Sequence, residues 1–178
     1  MIKNFKKDKQ SITADWEQVA QNLISGVEYK EVRNVIKDNG YLTEMYRSEW
    51  FSRTDIKQVF RVYLQPGAIS AWHAHEITTD HLSIISGTVK VVLFDGRKES
   101  STAGMINEFK ISAHRPGTLL IPPGVWHGVQ NIHEDASLIL NMVDQAYIYE
   151  NPDHIRIEPN DPQIPYTFDK KKFNFLIH

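Results

Sequence analysis

The chain has 178 residues, 41% hydrophobic and 24% charged, the proportions of one globular domain that can bury a core and not of a disordered or fibrous chain. Its 20 lysines and arginines against 22 acids leave a formal charge of −2, which argues against a dedicated nucleic-acid or anionic-membrane binder. No apolar run approaches the roughly eighteen residues of a membrane helix, and the absence of cysteine leaves eight histidines and the carboxylates for any metal or acid–base chemistry.

The stretch Met1-Ile-Lys-Asn-Phe-Lys-Lys7 lacks the apolar centre of a secretion signal, so a cytoplasmic location is expected. Asp15 can cap a helix, with Gln18 three residues on. Trp16, Val19, Ala20 and Leu23 follow at helical spacing, and Ser25-Gly26 stops them, so residues 1–26 are predicted to carry an amphipathic helix. Beyond it, Gln65-Pro66-Gly67, Phe94-Asp95-Gly96, Arg115-Pro116-Gly117 and Pro122-Pro123-Gly124 punctuate β-rich runs over 59–64, 81–85, 88–94, 117–121 and 136–143. Short strands with close turn signals, and no second helical pattern, predict an all-β sandwich or barrel over 27–168. Residues 151–168, rich in Pro, Asp and Asn, are expected to lap irregularly over it, and 169–178, with Lys170-Lys171-Lys172, to form a solvated tail.

Two stretches concentrate the chemistry: Gly67-Ala-Ile-Ser-Ala-Trp-His73-Ala-His75-Glu-Ile-Thr-Thr-Asp80 and Gly117-Thr-Leu-Leu-Ile-Pro-Pro-Gly124-Val-Trp-His127. In a strand, residues two apart share a face, so His73 and His75 point the same way. A turn over 76–79 brings Asp80 to meet them, and His127 can supply a third imidazole from across the barrel. Three imidazoles and a carboxylate suit a divalent transition metal (iron, manganese, nickel, copper or zinc) and fit calcium poorly. Without a metal, the same histidines would hydrogen-bond a ligand or water. Alternation turns Trp72, Trp126 and His81 away from this site. His114, His133 and His154 sit in turn-like surroundings and are expected on the surface, and Arg61 and Arg97 read either as surface charges or as phosphate partners.

These stretches resemble the two signature motifs of the cupin superfamily. Gly67, His73, His75 and Gly87 fall on the first, with Asp80 in place of its glutamate; Pro122-Pro123-Gly124, His127 and Asn131 fall on the second, with its leading glycine at Gly117. The resemblance implies a double-stranded β-helix, the cupin or jelly-roll barrel.

Further landmarks resemble the dTDP-4-dehydrorhamnose 3,5-epimerases in order and spacing: Asp95-Gly-Arg97-Lys-Glu-Ser100-Ser-Thr102-Ala-Gly104, Asp38-Asn-Gly-Tyr-Leu-Thr-Glu44, Gly124-Val-Trp-His127-Gly128 and Asn160-Asp161-Pro162. This resemblance implies His73 as catalytic base oriented by Asp161, substrate contacts from Gln58 and Glu44, a homodimer, and an activated keto-sugar or similar small molecule as substrate. It also implies losses. The family's arginine falls on Ser70, its lysine on Asp80 and its acidic tyrosine on Leu140. The arginine and phenylalanine that contact the nucleotide fall on Asn39 and Leu42. Tyr147 or Tyr149 is left as a replacement acid.

Removing a proton beside a ketone needs a base, an acid to return it and a charge to stabilise the enolate. With the base kept and the rest replaced, three functions stand open. One is a divergent epimerase or isomerase using His73. A second is a metal-dependent oxygenase, decarboxylase or lyase, with His73, His75, Asp80 and His127 as ligands and Asp161 holding His73 from behind. The third is a non-catalytic module that binds a small molecule.

Overall fold

The computed structural model describes residues 7–168; the tail lysines fall outside the described residues. In chain order the strands are β1 (Glu28–Glu31), β2 (Val35–Lys37), β3 (Gly40–Leu42), β4 (Gln58–Leu64), β5 (Ile69–Ala74), β6 (Asp80–Ser86), β7 (Thr88–Asp95), β8 (Ile106–Ser112), β9 (Gly117–Ile121), β10 (Val125–Asn131), β11 (Ser137–Val143) and β12 (Ile155–Arg156). A single turn of 3₁₀ helix at Ser48–Trp50 precedes β4. One five-stranded sheet has the order β1-β9-β6-β11-β4 and the other β12-β5-β10-β7-β8, while the β2–β3 hairpin stands apart. This is the double-stranded β-helix that the two motifs imply.

Side-chain pattern explains which faces meet. β8 alternates, with Asn107, Phe109 and Ile111 turned in and Glu108 and Lys110 turned out. β7 is buried along most of its length because it is covered on both sides. Val89, Val91 and Leu93 join Leu82, Ile84, Leu119, Ile121 and Ile139 in the core between the sheets. Val92, on the opposite face, packs with Trp72, Ile164 and Phe168. The C-terminal segment thus laps over the outer face of the second sheet, and Trp72 points into that contact. Gly87, between β6 and β7, has φ +82°, and a Cβ there would lie 2.2 Å from Ser137 Oγ, so the hairpin admits only glycine. No helix among the described residues is long and apolar enough to cross a membrane.

The expected N-terminal helix is absent from residues 7–26. Trp16, placed on its apolar face, is 82% exposed and has φ +61°. The backbone groups a helix would use are taken by β8 and the loop before it. Asn107 accepts from the Ile24 amide and donates to the Asn22 carbonyl, and Thr102 Oγ1 accepts from the Ser25 amide. Only Ile24 of this segment is buried, so one anchoring side chain replaces a helical stripe.

Asp95 closes the loop that precedes β8. Its fully buried carboxylate accepts from Arg97 Nε at 2.8 Å and from the hydroxyls of Ser100 and Thr102, each at 2.6 Å. Arg97 is therefore a structural partner and not a phosphate ligand. Burial pushes the Asp95 carboxyl up, but the bonds from Arg97, Ser100 and Thr102 together outweigh it and hold the group well below the usual carboxylate range. Asp95→Ala is expected to destabilise the protein by about 3 kcal/mol in denaturant titration, because Arg97, Ser100 and Thr102 together lose the acceptor they converge on. The folded pKa lies below the unfolded value of about 3.9, so this stabilisation is full above that pH and is lost as the pH falls through the folded pKa. An Asp95→Asn variant should accordingly show a flatter acid limb.

Candidate active site

Between the sheets lies a cavity of about 690 Å³. Gln58, Phe60, Val62 and Leu64 of β4, Asp80 and Leu82 of β6, and Ile139, Asn141 and Val143 of β11 form one wall; the other comes from β5, β10, β12 and the segment before β12. Register sets what faces it. His127 on β10 lies opposite His73 on β5, which lies opposite Arg156 on β12. Directly opposed residues of antiparallel strands share a face, so Arg156, His73 and His127 make one row along the cavity. The Gly124 amide donates to the His75 carbonyl at 2.7 Å, tying the turn before β10 to the end of β5. Asp153 holds loop 76–79 in place by accepting from the amides of Glu76, Ile77 and Thr78 and from the Thr78 hydroxyl.

Proton accounting defines the floor of the site. His75 Nδ1 donates to the Asp153 carbonyl, which leaves Nε2 of the neutral ring as a lone pair. His127 Nδ1 points at the Val125 carbonyl at 3.4 Å, with the same consequence for its Nε2. The two Nε2 atoms lie 3.4 and 3.8 Å from Asp80 Oδ2. Asp80 is 2% exposed; its Oδ1 accepts from Asn141 Nδ2 at 2.7 Å, and Oδ2 has no hydrogen-bond donor. Three acceptors thus converge within 4.8 Å of one another, a donor set of the kind that holds a metal ion. Ligand distances of about 2.0–2.2 Å set tetrahedral donors about 3.4 Å apart, so the 3.4 and 3.8 Å separations from Asp80 Oδ2 are close to those of a divalent transition-ion site.

His73 does not belong to that set. Its Nε2 lies 2.9 Å from Ser70 Oγ and its Nδ1 2.9 Å from His154 Nε2. Of the four ligands expected from sequence, the structure brings His75, Asp80 and His127 together. The dyad expected between His73 and Asp161 is not formed either: Asp161 Oδ1 accepts from the amide and side chain of Gln163. His154, expected on the surface, takes the place assigned to Asp161. Nothing in its loop sequence marks it, since a residue after Pro-Asp carries no periodic signal. Gln58 lines the cavity and accepts from the Tyr147 amide at 2.8 Å, whereas Glu44 pairs with Arg47 on the exposed surface. Tyr147 lines the cavity and stacks edge-on against exposed Tyr149. His81 faces away as expected, with Nε2 2.7 Å from the Arg53 carbonyl and Nδ1 3.3 Å from the Met142 carbonyl, and packs against Tyr46 and Phe51.

Burial first, and then the charges that would accumulate on His127, Arg156, His154 and His75, push His73 down to about 3. His154 falls to about 4, through burial and then Arg156. Both rings are neutral at pH 7, so one of the facing nitrogens, His73 Nδ1 or His154 Nε2, carries the hydrogen and the other accepts it.

The profile described as dTDP-4-dehydrorhamnose 3,5-epimerase matches residues 21–174. The chain belongs to that family. It is 33% identical over 136 residues to the "Probable low-salt glycan biosynthesis epimerase Agl13" of Haloferax volcanii, covering 75% of this chain and 87% of that protein. Over 147 residues it is 30% identical to the "Spore coat polysaccharide biosynthesis protein SpsL" of Bacillus subtilis, covering 83% and 97%. A dTDP sugar isomerase of Desulfovibrio desulfuricans superposes with a TM-score of 0.75 at 24% identity, over 81% of this chain and 91% of that one, a likeness of fold. In this member of the dTDP-4-dehydrorhamnose 3,5-epimerase family, Ile139, Asn141 and Val143 face the cavity and Leu140, between them, does not line it. The strand that should carry the family's acid therefore presents no acid to the cavity.

In metal-free protein, the ring signals of His73 and His154 should stay flat by NMR from pH 8 to about 5.5. Their folded pKa values lie below the unfolded value of about 6.5, so the unfolded chain binds more protons and stability falls as the pH drops through that value. A ring titrating at its ordinary value would contradict this burial.

Proposed function

We propose that the protein is a sugar-nucleotide epimerase that removes and returns a proton beside the ketone of an activated keto-sugar, with His73 as its base. The observation that carries this reading is the neutral His73 ring, held by His154 behind it and Ser70 beside it, in the cavity of a chain belonging to the dTDP-4-dehydrorhamnose 3,5-epimerase family. His73 Nε2 takes the proton as the sugar displaces the Ser70 hydroxyl, and the C–H electron pair moves toward the ketone oxygen. His154 keeps the ring oriented by the Nδ1 bond. Among the described residues Tyr147 is the one phenol lining the cavity, and it is the group available to return a proton on the other face. The apolar faces of Phe60, Val62 and Leu64 exclude water from the carbanion. In D₂O, a dTDP-linked 4-keto-6-deoxysugar should gain deuterium beside its ketone. His73→Ala should slow that exchange by about 10²-fold or more; no exchange by the wild type, or an unchanged rate in the variant, would contradict the reading.

A metal is proposed for the same cavity, carried by the convergence of His75, His127 and the donorless Asp80 Oδ2. An ion held there would supply a Lewis acid for a substrate oxygen, the role for which the family's lysine and arginine have no counterpart here. Zn²⁺ or Mn²⁺ should raise the Tm of the wild type. Asp80→Ala should abolish that rise and His73→Ala preserve it, since His73 stands outside the donor set; equal behaviour of the two variants would contradict the assignment.

We also propose a homodimer. Val35, Ile36, Tyr41 and Leu42 are exposed on the separate β2–β3 hairpin, and Val59 and Tyr63 on the edge strand β4, where a second copy would cover them. Light scattering on the eluting peak should give twice the chain mass, and Ile36→Asp together with Tyr41→Asp should return it to the monomer value.

A further inference from the structure

Ser70 and His73 lie three apart on β5, a spacing that ordinary strand alternation sends to opposite faces. Here both line the cavity. The register against β10 gives the reason. His127 stands opposite His73 and Val129 opposite Ser70, so three steps along β5 answer two along β10. β5 thus carries one extra residue, a bulge of the kind that re-aims a side chain. Gly128, between those two partners, makes room for it: a Cβ there would lie 2.6 Å from the Ala71 Cβ. The bulge brings Ser70 Oγ to 2.9 Å from His73 Nε2, the nitrogen proposed to take the proton.

The cavity floor offers acceptors in His75 Nε2, His127 Nε2 and Asp80 Oδ2. Thr78 spends its hydroxyl on Asp153, and Asn141 gives an amide hydrogen to Asp80. Among the described residues the half-buried Ser70 hydroxyl is bonded to His73 alone, so a ligand that displaces it sets a donor free. When a C–H carbon closes to about 3–3.5 Å from Nε2, the neighbouring ketone oxygen is two bonds away, within reach of that displaced hydroxyl. We infer that Ser70 is a catalytic residue whose hydroxyl turns from the base and donates to the ketone oxygen on which enolate charge develops. The C–H proton goes to Nε2, the C–H electron pair becomes the C=C bond, and the carbonyl π pair moves to oxygen. Ser70 keeps its own proton throughout, and the reverse movement restores the ketone. The bond is stronger to the enolate than to the ketone, so it acts on the barrier and not on binding. This deepens the epimerase reading and rests on it.

Deuterium uptake from D₂O into a dTDP-linked 4-keto-6-deoxysugar, followed over a range of substrate concentrations with full-length protein at equal metal content, tests it. Ser70→Ala should lower kcat by about 10²-fold and leave KM nearly unchanged. Ser70→Thr, which keeps the hydroxyl on a β-branched residue suited to a strand, should recover most of the lost rate. Both variants should melt as the wild type does. A hydroxyl that merely occupied the base would slow the reaction, and Ser70→Ala would then exchange as fast as the wild type or faster. That result overturns the inference and leaves the epimerase reading standing. So does a loss seen in KM alone, or a Ser70→Thr variant as slow as Ser70→Ala. A wild type that exchanges no deuterium overturns the epimerase reading and the inference together.

Discussion

The Asp80 carboxylate is taken out of water at the base of the cavity, and one of its oxygens has no hydrogen to accept. Burying an ionised carboxylate costs several kcal/mol unless opposite charge or donors compensate it, and Asn141 compensates only half. The surrounding architecture holds that uncompensated oxygen against two imidazoles. β6 begins at Asp80, β11 brings Asn141, the turn at Gly124 delivers β10 with His127, and the tie from Gly124 to His75 joins the ends of β5 and β10. That unpaired acceptor capacity, gathered in one place, is what the proposed cation would complete.

His73 sits in the same row but serves a different arrangement. Its neighbour on β10 is His127, yet its own nitrogens face Ser70 and His154. Two imidazoles in series replace the base and carboxylate that the family resemblance implies. A carboxylate behind a histidine favours its charged form; a neutral imidazole does not, and burial adds to the same effect. The family barrel is thus kept while the electrostatics of its floor are rebuilt around neutral rings and one buried acid.

Much of this could be read from the residues alone. The turns at Gly67 and Gly124 and the runs over 59–64, 81–85, 88–94, 117–121 and 136–143 fit the observed strands, the runs corresponding to β4, β6, β7, β9 and β11, because glycine and proline punctuation and β-branched content are local signals. The meeting of His75, Asp80 and His127 was legible for the same reason, from spacing within two motifs. The N-terminal helix was not, since its periodicity competes with side chains of β8 and the preceding loop that lie 77 to 86 residues away. Nor was His154: its role depends on where an irregular segment crosses β5, and long-range pairing leaves no mark in the neighbouring residues. The exchange of Asp161 for His154 shows the limit of carrying a role across by alignment, because a loop can return to the same imidazole with a different residue.

A crystal structure of the protein with a dTDP-linked 6-deoxysugar tests the central claim most directly. The sugar ring should lie inside the cavity, with a ring C–H within about 4 Å of His73 Nε2 and the Nδ1 bond to His154 intact. A sugar seated outside the cavity, or one whose ring faces another side chain while His73 stays closed on Ser70, would contradict the account.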